Sequence, residues 1–170
     1  SAYLNVPYPL PVSHVLLTAG PLSHGFKPNP KKVGNKGKAW IPALFDVLSR
    51  NHNNSNNLWY YQREHWTFHA KGLWISERSS TPDATTTPFL SSNHRLLAVA
   101  HGSGNYGYRS RARDMESNLI LILPDSSPLQ PRFRNEWNSL CHFAVPARHV
   151  PPQNVSVWLR LMLPLIRRFL

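Results

Sequence analysis

The chain has 170 residues, one domain's worth of material, and its 19 Lys and Arg against 8 Asp and Glu give a formal charge of +11. A hydrophobic fraction of 41% excludes wholesale disorder, and the single cysteine, Cys141, excludes a disulfide framework or a cysteine-rich zinc finger. No apolar run reaches the roughly 18 residues of a membrane-spanning helix. The positive charge indicates an anionic partner, which could be nucleic acid, anionic lipid or a phosphorylated small molecule.

The first third of the chain predicts a strand, a basic loop and a helix. His14–Ala19 is a short apolar run between turn residues, which favours a buried strand. Lys27–Lys38 holds five lysines among Gly, Pro and Asn, and predicts a loop that is either simply solvated or in contact with phosphates. A helical apolar stripe follows and should end at Arg50, before an Asn-rich surface loop; its members are Ile41, Leu44, Phe45 and Leu48.

Three further strands are predicted beyond residue 60. Trp66–Ile75 is rich in aromatic and β-branched residues, and Arg95–Ala100 is an apolar run. Between them, Glu77–Asn93 has the Ser, Thr and Pro content of a long exposed connection. Leu119–Leu123 is apolar throughout, which suits a strand buried on both faces.

The remaining segments predict two helices and complete the expected fold. Phe133, Trp137 and Leu140 are spaced as one helical face. Val155–Leu170 is apolar and basic, is interrupted by Pro164, and could be either a core-packing helix or an interfacial one. We therefore expect an α/β fold, a mixed β-sheet flanked by helices, as a single domain over residues 1–170. Because the chain opens at Ser1 without an initiator Met, we expect it to be a fragment or a processed product.

His69 and Lys71 form the first candidate catalytic pair. Inside the predicted strand 66–75, residues two positions apart project from the same face, so the imidazole and the ammonium would point the same way. Lys can neutralise phosphate oxygens while His attacks phosphorus or moves a proton. A strand with a solvated polar face would show the same spacing, so the pattern alone leaves both interpretations open.

A second candidate motif, Gly102-Ser103-Gly104-Asn105, follows the next predicted strand. Glycine lets a backbone approach an anion closely, and Ser103 and Asn105 can donate hydrogen bonds to phosphate oxygens. Arg109 and the acidic Glu116 come further along the chain. An HxK element, a GSxN turn and a downstream carboxylate therefore occur in one order.

That order resembles the phospholipase D superfamily, whose half-site reads HxK and then GSxN. The blocks WTFHAKGLW (66–74) and GSGNYGYRS (102–110) are similar to the second catalytic motif of one branch, the mitochondrial phosphatidylglycerophosphate synthases. Tyr3-Leu4-Asn5 and the segment 158–166 also resemble that branch, so the likeness runs nearly end to end. It identifies the chain as a C-terminal phospholipase D-like half-domain.

The chain departs from the superfamily pattern at two single positions and in lacking the half that carries the other HxK motif. Ser76 stands where the superfamily has an Asp, which the synthase branch also lacks, and His101 replaces an apolar residue and receives no role. Only one HxK motif is present, and the N-terminal half that carries the other is absent. The resemblance implies that the site is completed by that half or by a homodimer partner.

The resemblance implies transfer of a phosphatidyl group from CDP-diacylglycerol to sn-glycerol 3-phosphate, with release of CMP, on the route to cardiolipin. The superfamily mechanism passes through a phosphohistidine, with no metal and no cofactor. Since the first half usually supplies the nucleophile, His69 is assigned the acid/base role, although the sequence leaves the nucleophile role open.

The resemblance also assigns the other site residues. Glu116 would orient an active-site His, with Asp114 as the alternative. The phosphoryl oxygens would be held by Lys71, Ser103, Asn105 and Arg109. It further implies an anionic membrane surface as partner and a peripheral location on the matrix side of the mitochondrial inner membrane.

Two other interpretations remain open. A phospholipase D-like nuclease or nucleic-acid-binding module would use the charge of +11 and the six Trp for phosphate tracking and base stacking. Against nucleic acid, most aromatic residues occupy apolar strand and helix positions that suggest a core. A catalytically dead scaffold is the third interpretation, and the intact HxK and GSxN motifs argue against it.

Overall fold

The computed structural model describes residues 15–25, 40–52, 57–77, 88–104 and 115–167. In chain order the elements are β1 (Leu16–Ala19), α1 (Trp40–His52), β2 (Leu58–Tyr61), β3 (Gly72–Ser76), β4 (Leu96–Gly102), β5 (Asn118–Ile122), α2 (Gln130–Cys141), β6 (Ala144–Pro146) and α3 (Val157–Arg167). The predicted mixed α/β class is confirmed. The Lys27–Lys38 loop lies outside the described residues.

The described residues fall into two compact units. The first unit contains residues 15–25, 40–52, 57–69 and 143–167, and the second contains 70–77, 88–104 and 115–142. Each unit has its own three-stranded sheet, in the order β1-β2-β6 in the first and β3-β4-β5 in the second. The strands are thus divided between two sheets, where the sequence suggested one.

The first unit is built on a strand that the sequence did not predict. All four residues of β2 are buried, and β2 pairs in parallel with β1 and antiparallel with β6. Leu58 and Tyr60 of β2 form the core with Ala147, and Leu16 and Val150 pack against them. The four-residue run is too short to show a periodicity, which is why local sequence gives no signal for it.

A buried carboxylate ties α1 to the rest of the first unit. Asp46 is 3% exposed, and its oxygens accept hydrogen bonds from the Tyr60 hydroxyl (2.7 Å), Arg50 Nε (2.9 Å) and the Gln153 backbone N–H (2.9 Å). Arg50 also donates to the Val150 carbonyl at 2.7 Å. Burial and the adjacent Asp46 raise the pKa of Tyr60, so the phenol keeps the proton that it donates. The charge is therefore compensated within the core.

The second unit packs α2 on one face of its sheet. β4 is central and antiparallel to both neighbours, and Leu96, Val99 and Leu123 form the core beneath the half-buried Phe133. The buried Gln130 side chain accepts from the Leu96 N–H (3.0 Å) and donates to the Leu96 carbonyl (2.8 Å). One amide thus fixes the start of α2 to the start of β4.

The connection before β4 is partly anchored rather than fully exposed as predicted. Asn138 of α2 makes two 2.8 Å hydrogen bonds with the backbone of Leu90, and Trp137 Nε1 donates to the Pro88 carbonyl at 2.6 Å. Cys141 lies beneath, 1% exposed, and burial raises the pKa of its thiol to about 12. The residues between 78 and 87 lie outside the described part of the chain.

The expectation that Leu119–Leu123 is buried on both faces is wrong. This run forms most of the edge strand β5, and Leu119, Ile120 and Ile122 are 60%, 65% and 75% exposed. The register places Leu73 and Ile75 of β3 on the same sheet face as Ile120 and Ile122, and they are 49% and 44% exposed. We call these four residues the open sheet face. Its composition is that of a surface that packs, although α2 covers only the opposite face.

α3 begins at a polar cap and continues through its proline. The Leu159 N–H donates to Ser156 Oγ at 3.4 Å, and the Arg160 N–H donates to the Ser156 carbonyl at 3.1 Å. The predicted interruption at Pro164 is wrong, since the helix extends to Arg167. No helix in the described ranges is long and apolar enough to cross a membrane.

Candidate functional site

The structure places the HxK motif outside the strand in which it was predicted. β3 begins at Gly72, so His69 and Lys71 precede it, and the prediction that both project from one strand is wrong. The boundary between the two units falls between His69 and Ala70. His69 is exposed at the end of a first-unit segment, and Lys71 is half-buried at the start of the second unit.

Long-range contacts in the first unit explain why the segment before His69 is not a strand. The Phe68 N–H donates to the Ser23 carbonyl at 2.9 Å, and its ring stacks on Tyr61 of β2 with centroids 4.7 Å apart. Upstream, His65 has a positive φ of 61°, which turns the chain sharply. The backbone at Phe68 is therefore bonded to the turn that follows β1 and not to a sheet ladder.

An exposed aromatic cluster surrounds the same segment. The Arg63 guanidinium lies 3.8 Å from the ring centroid of Trp66 and 4.6 Å from that of Phe143. Trp66 is 55% exposed. Two more of the six Trp side chains are also exposed, Trp40 at 46% and Trp158 at 78%. The expectation that the aromatic residues belong mostly to the core therefore holds for only part of the set.

The second unit brings three motif elements to one end of its sheet. Gly72 of β3 pairs with His101 of β4, and Gly102 pairs with Asn118 of β5. Since these pairings are antiparallel, the residue before β3, the turn after β4 and the residues before β5 lie at the same end. Lys71, the Ser103 turn and Glu116 are therefore gathered there, although they are up to 45 positions apart in sequence.

Ser103 and Glu116 are bonded to one another. The Ser103 hydroxyl donates to a Glu116 carboxylate oxygen at 2.5 Å, which is the length of a strong charge-assisted hydrogen bond. The Ser117 N–H donates to Ser103 Oγ at 3.0 Å, and the Ser103 N–H donates to the Ser117 carbonyl at 3.0 Å. Both donors of Ser103 are thus engaged within the protein, so its hydroxyl fixes the position of the carboxylate.

Three residues of the expected site lie outside the described residues. They are Asn105, Arg109 and Asp114. The prediction that Asn105 reaches the same place as the HxK pair therefore stays a prediction.

The two departures from the superfamily pattern have structural positions. Ser76 is the last residue of β3, beside a register shift, at the opposite end of the strand from Lys71. His101 lies between the sheet and α2, with its ring against Trp74 and Phe133 and its Nε2 3.3 Å from a Glu136 carboxylate oxygen. His101 is therefore part of the packing between sheet and helix.

Gly102 is required by the close approach of β4 to the residues before β5. A Cβ built on Gly102 would lie 1.9 Å from Asn118 Oδ1 and 2.5 Å from the Ser117 carbonyl oxygen, whereas one on Gly104 would meet nothing closer than 3.4 Å. The Asn118 side chain can turn away, but the Ser117 carbonyl is fixed by the hydrogen bond that it accepts from the Ser103 N–H. The first glycine of the turn therefore has a packing reason that the second lacks.

We expect Gly102→Ala to lower the free energy of unfolding of the second unit by about 1–3 kcal/mol, the usual cost of overpacking. Gly104→Ala is the matched control and should cost well under that amount. Urea denaturation followed by circular dichroism measures both. Equal losses in the two variants would contradict the close approach at Gly102.

Two surface depressions lie away from this end of the sheet. One of about 440 Å³ in the second unit is lined by His94, Arg95, Asp125 and Arg134, beside the start of β4 and the end of β5, at the end of the sheet opposite to Ser103. One of about 370 Å³ in the first unit is lined by Asp46, Arg50 and part of α3. In the described ranges no three His, Cys, Asp or Glu side chains are grouped so as to hold a metal ion.

Two residues that sequence reasoning did not single out lie at the end of the sheet where Lys71, Ser103 and Glu116 are gathered. Ser117 supplies both a donor and an acceptor to Ser103, and Asn118 lies against Gly102. Neither belongs to a motif, and the Ser103–Glu116 bond joins residues 13 positions apart in the sequence. The strand pairing of Gly102 with Asn118 is what brings them together.

Comparison with known proteins extends along almost the whole chain. A Bos taurus protein named mitochondrial CDP-diacylglycerol–glycerol-3-phosphate 3-phosphatidyltransferase is 30% identical over 182 aligned residues, which cover 99% of this chain and 29% of the relative. The Homo sapiens protein of that name is 29% identical over the same coverage. A Saccharomyces cerevisiae CDP-diacylglycerol–glycerol-3-phosphate 3-phosphatidyltransferase is 27% identical over 141 residues, which cover 77% of this chain and 25% of the relative.

The chain spans less than a third of the length of the curated relatives that it matches. No protein-family model matches it, and no solved structure matches it significantly. The similarity to the vertebrate proteins covers 99% of this chain, and it therefore includes both motif blocks and all elements of the second unit's sheet. Along this segment the chain is therefore similar to proteins named CDP-diacylglycerol–glycerol-3-phosphate 3-phosphatidyltransferase from vertebrates and yeast.

Proposed function

We propose that the chain supplies one half-site of an enzyme that transfers a phosphatidyl group from CDP-diacylglycerol to sn-glycerol 3-phosphate, releasing CMP and forming phosphatidylglycerophosphate. The observation that supports this most is the gathering of Lys71, the Ser103 turn and Glu116 at one end of a sheet, in a chain whose relatives carry that activity in their names. The product is the precursor on a route to phosphatidylglycerol and cardiolipin.

The chemistry is two in-line displacements at one phosphorus. A histidine attacks the phosphorus of CDP-diacylglycerol, the bond to CMP breaks, and a phosphohistidine forms. The hydroxyl of glycerol 3-phosphate then attacks the same phosphorus and releases the histidine. His69 acts as the general acid for CMP and then as the general base for the acceptor hydroxyl, with the nucleophile from the second half-site.

The remaining site residues hold charge. Lys71, Asn105 and Arg109 bind phosphoryl oxygens, on which negative charge builds in the transition state. Glu116 orients an imidazole through its N–H. In the present arrangement the Ser103 hydroxyl donates its hydrogen bond to the Glu116 carboxylate. Ser103 therefore donates to a phosphate oxygen only when Glu116 accepts its hydrogen bond from the imidazole instead.

The setting of the reaction is a membrane surface. Both substrates are anionic, and CDP-diacylglycerol carries its acyl chains in the bilayer. The formal charge of +11 attracts the chain to an anionic surface. Because the vertebrate relatives are named as mitochondrial, we assign the chain to the mitochondrion. We further propose that it is a peripheral protein on the matrix side of the inner membrane, where an anionic surface would attract its positive charge.

The test uses the chain assembled with a segment that carries a second HxK motif. It compares phosphatidyl transfer from a lipid substrate with binding or cleavage of DNA. We expect incorporation of labelled glycerol 3-phosphate into chloroform-soluble product in mixed micelles of CDP-diacylglycerol, with stoichiometric release of CMP. A gel shift with DNA over a salt series is the second measurement. Salt-resistant DNA binding or cleavage without any lipid product would favour the nuclease instead.

A further inference from the structure

One face of α3 is an apolar stripe that the described parts of the chain leave exposed. Helical spacing places its five residues on one side of the helix, and they are between 45% and 78% exposed. The members are Val157, Trp158, Leu161, Met162 and Leu165. We call this set the α3 stripe.

The other side of α3 faces a depression of the first unit. Leu159 and Leu163 are half-buried, and Leu163 lines the same depression as Val47 of α1 and Pro152. α3 therefore turns its half-buried side toward the first unit and presents the α3 stripe outward. Burying large apolar side chains on both sides of one helix requires a second apolar environment outside the described chain.

The charges around α3 indicate what that environment is. Arg160 is exposed three positions after Val157, so it lies between the α3 stripe and the depression that it lines with Leu163 and Asp46. Between residues 143 and 170 the sequence has no acidic residue and four arginines, Arg148, Arg160, Arg167 and Arg168. An apolar stripe with Trp, flanked only by cations, is complementary to anionic headgroups above an acyl layer.

We infer that α3 docks the chain in the plane of an anionic bilayer, with the α3 stripe among the acyl chains and Arg160 at the headgroups. Eleven residues at 1.5 Å each give a helix of roughly 16 Å, about half the hydrocarbon thickness, so it lies in the interface and does not span it. The inference deepens the proposed function by naming the element that brings the half-site to a lipid substrate.

The experiment is flotation of the 170-residue chain with vesicles through a density gradient, in which bound protein rises and aggregates sink. Vesicles contain phosphatidylcholine with or without 30% phosphatidylglycerol as a chosen composition of about physiological anionic charge. They contain no CDP-diacylglycerol, so the result does not depend on catalysis. We expect flotation with the anionic vesicles, and about fivefold weaker partition for Arg160→Gln.

The decisive variant is Trp158→Glu with Leu161→Glu, which should lower partition at least tenfold because two apolar anchors become charged. Trp40→Glu with Leu22→Glu is the matched control, since it changes the same residue types at exposed positions of the same unit, 46% and 41% accessible. The control should float like the parent chain. Circular dichroism establishes that each variant is folded.

A conservative variant keeps the inference testable if the charged double variant does not fold. Brominated acyl chains should quench Trp158 fluorescence in the parent chain, and Trp158→Phe should float while losing that quenching. Equal flotation of the parent and the charged double variant would overturn the inference. So would a parent chain that stays at the bottom of the gradient, or an α3 stripe whose substitution only converts a dimer to a monomer.

These outcomes are separate from failure of the proposed function. A parent chain that does not bind vesicles but supports transfer in micelles would refute the role of α3 and leave the half-site proposal intact. Vesicle binding through α3 without any lipid product would refute the proposed function and leave the role of α3 in membrane binding intact.

Discussion

Substitution of His69 or Lys71 by alanine is expected to lower phosphatidyl transfer by at least about 10²–10³-fold in the assembled two-motif enzyme. General acid–base catalysis alone typically contributes 10²–10⁴-fold, and loss of the Lys71 ammonium removes charge stabilisation at the phosphoryl oxygens. His69 is exposed and neither residue belongs to a sheet ladder, so the folded state should survive both changes. Initial rates of labelled glycerol 3-phosphate incorporation, together with thermal melting, measure the two effects.

Ser76→Ala is the matched control for the motif assignment. Ser76 occupies the place of the superfamily Asp but lies at the far end of β3 from Lys71, so its loss should cost less than about threefold in rate, a transition-state change under 1 kcal/mol. A loss as large as that of His69→Ala would show that the spacer is wrongly assigned.

A second measurement distinguishes the acid/base role of His69 from a nucleophilic role, which the loss of rate alone does not do. If His69 is the acid and base, His69→Ala should still form some phosphohistidine from phosphorus-labelled CDP-diacylglycerol, because the nucleophile lies in the other half-site. If His69 is the nucleophile, no acid-labile protein-bound label should appear. Acid-sensitive label on the denatured protein distinguishes the two assignments.

Local sequence patterns correctly predicted the elements that are long enough to show a full hydrophobic period. The stripe beginning at Ile41 predicted α1, and Phe133, Trp137 and Leu140 predicted α2. The strand preceding Gly102 was also found, and with it the turn that bonds Glu116. These segments carry enough residues for their period to be read.

Three errors share one physical cause, which is that strand position depends on distant partners. Trp66–Ile75 has strand composition throughout, but Phe68 is bonded to Ser23, 45 positions earlier, and only the last part enters a ladder. The four residues of β2 are too few to show a pattern. Leu119–Leu123 shows that β5 is apolar, but composition does not say whether anything in this chain covers it.

The open sheet face bears on the behaviour of the chain by itself. Leu73, Ile75, Ile120 and Ile122 are between 44% and 75% exposed on one side of the second unit. Contiguous exposed apolar surface of this kind usually marks an interaction site or an aggregation liability. We propose that it packs against the half that carries the second HxK motif, and we therefore expect the purified 170-residue chain to dimerise or aggregate.

The isolated chain should show no phosphatidyl transfer, because the reaction needs one imidazole to attack phosphorus and another to move the proton of the leaving group. This chain offers a single HxK motif. Co-expression with a segment that carries the second motif should restore monodispersity and turnover together. Light scattering after size exclusion and incorporation of labelled glycerol 3-phosphate, measured on the chain alone and on the assembled pair, provide the comparison. Robust turnover by a monodisperse monomer would overturn the half-site proposal, and His65 and His101 would then be the first candidates for a second nucleophile.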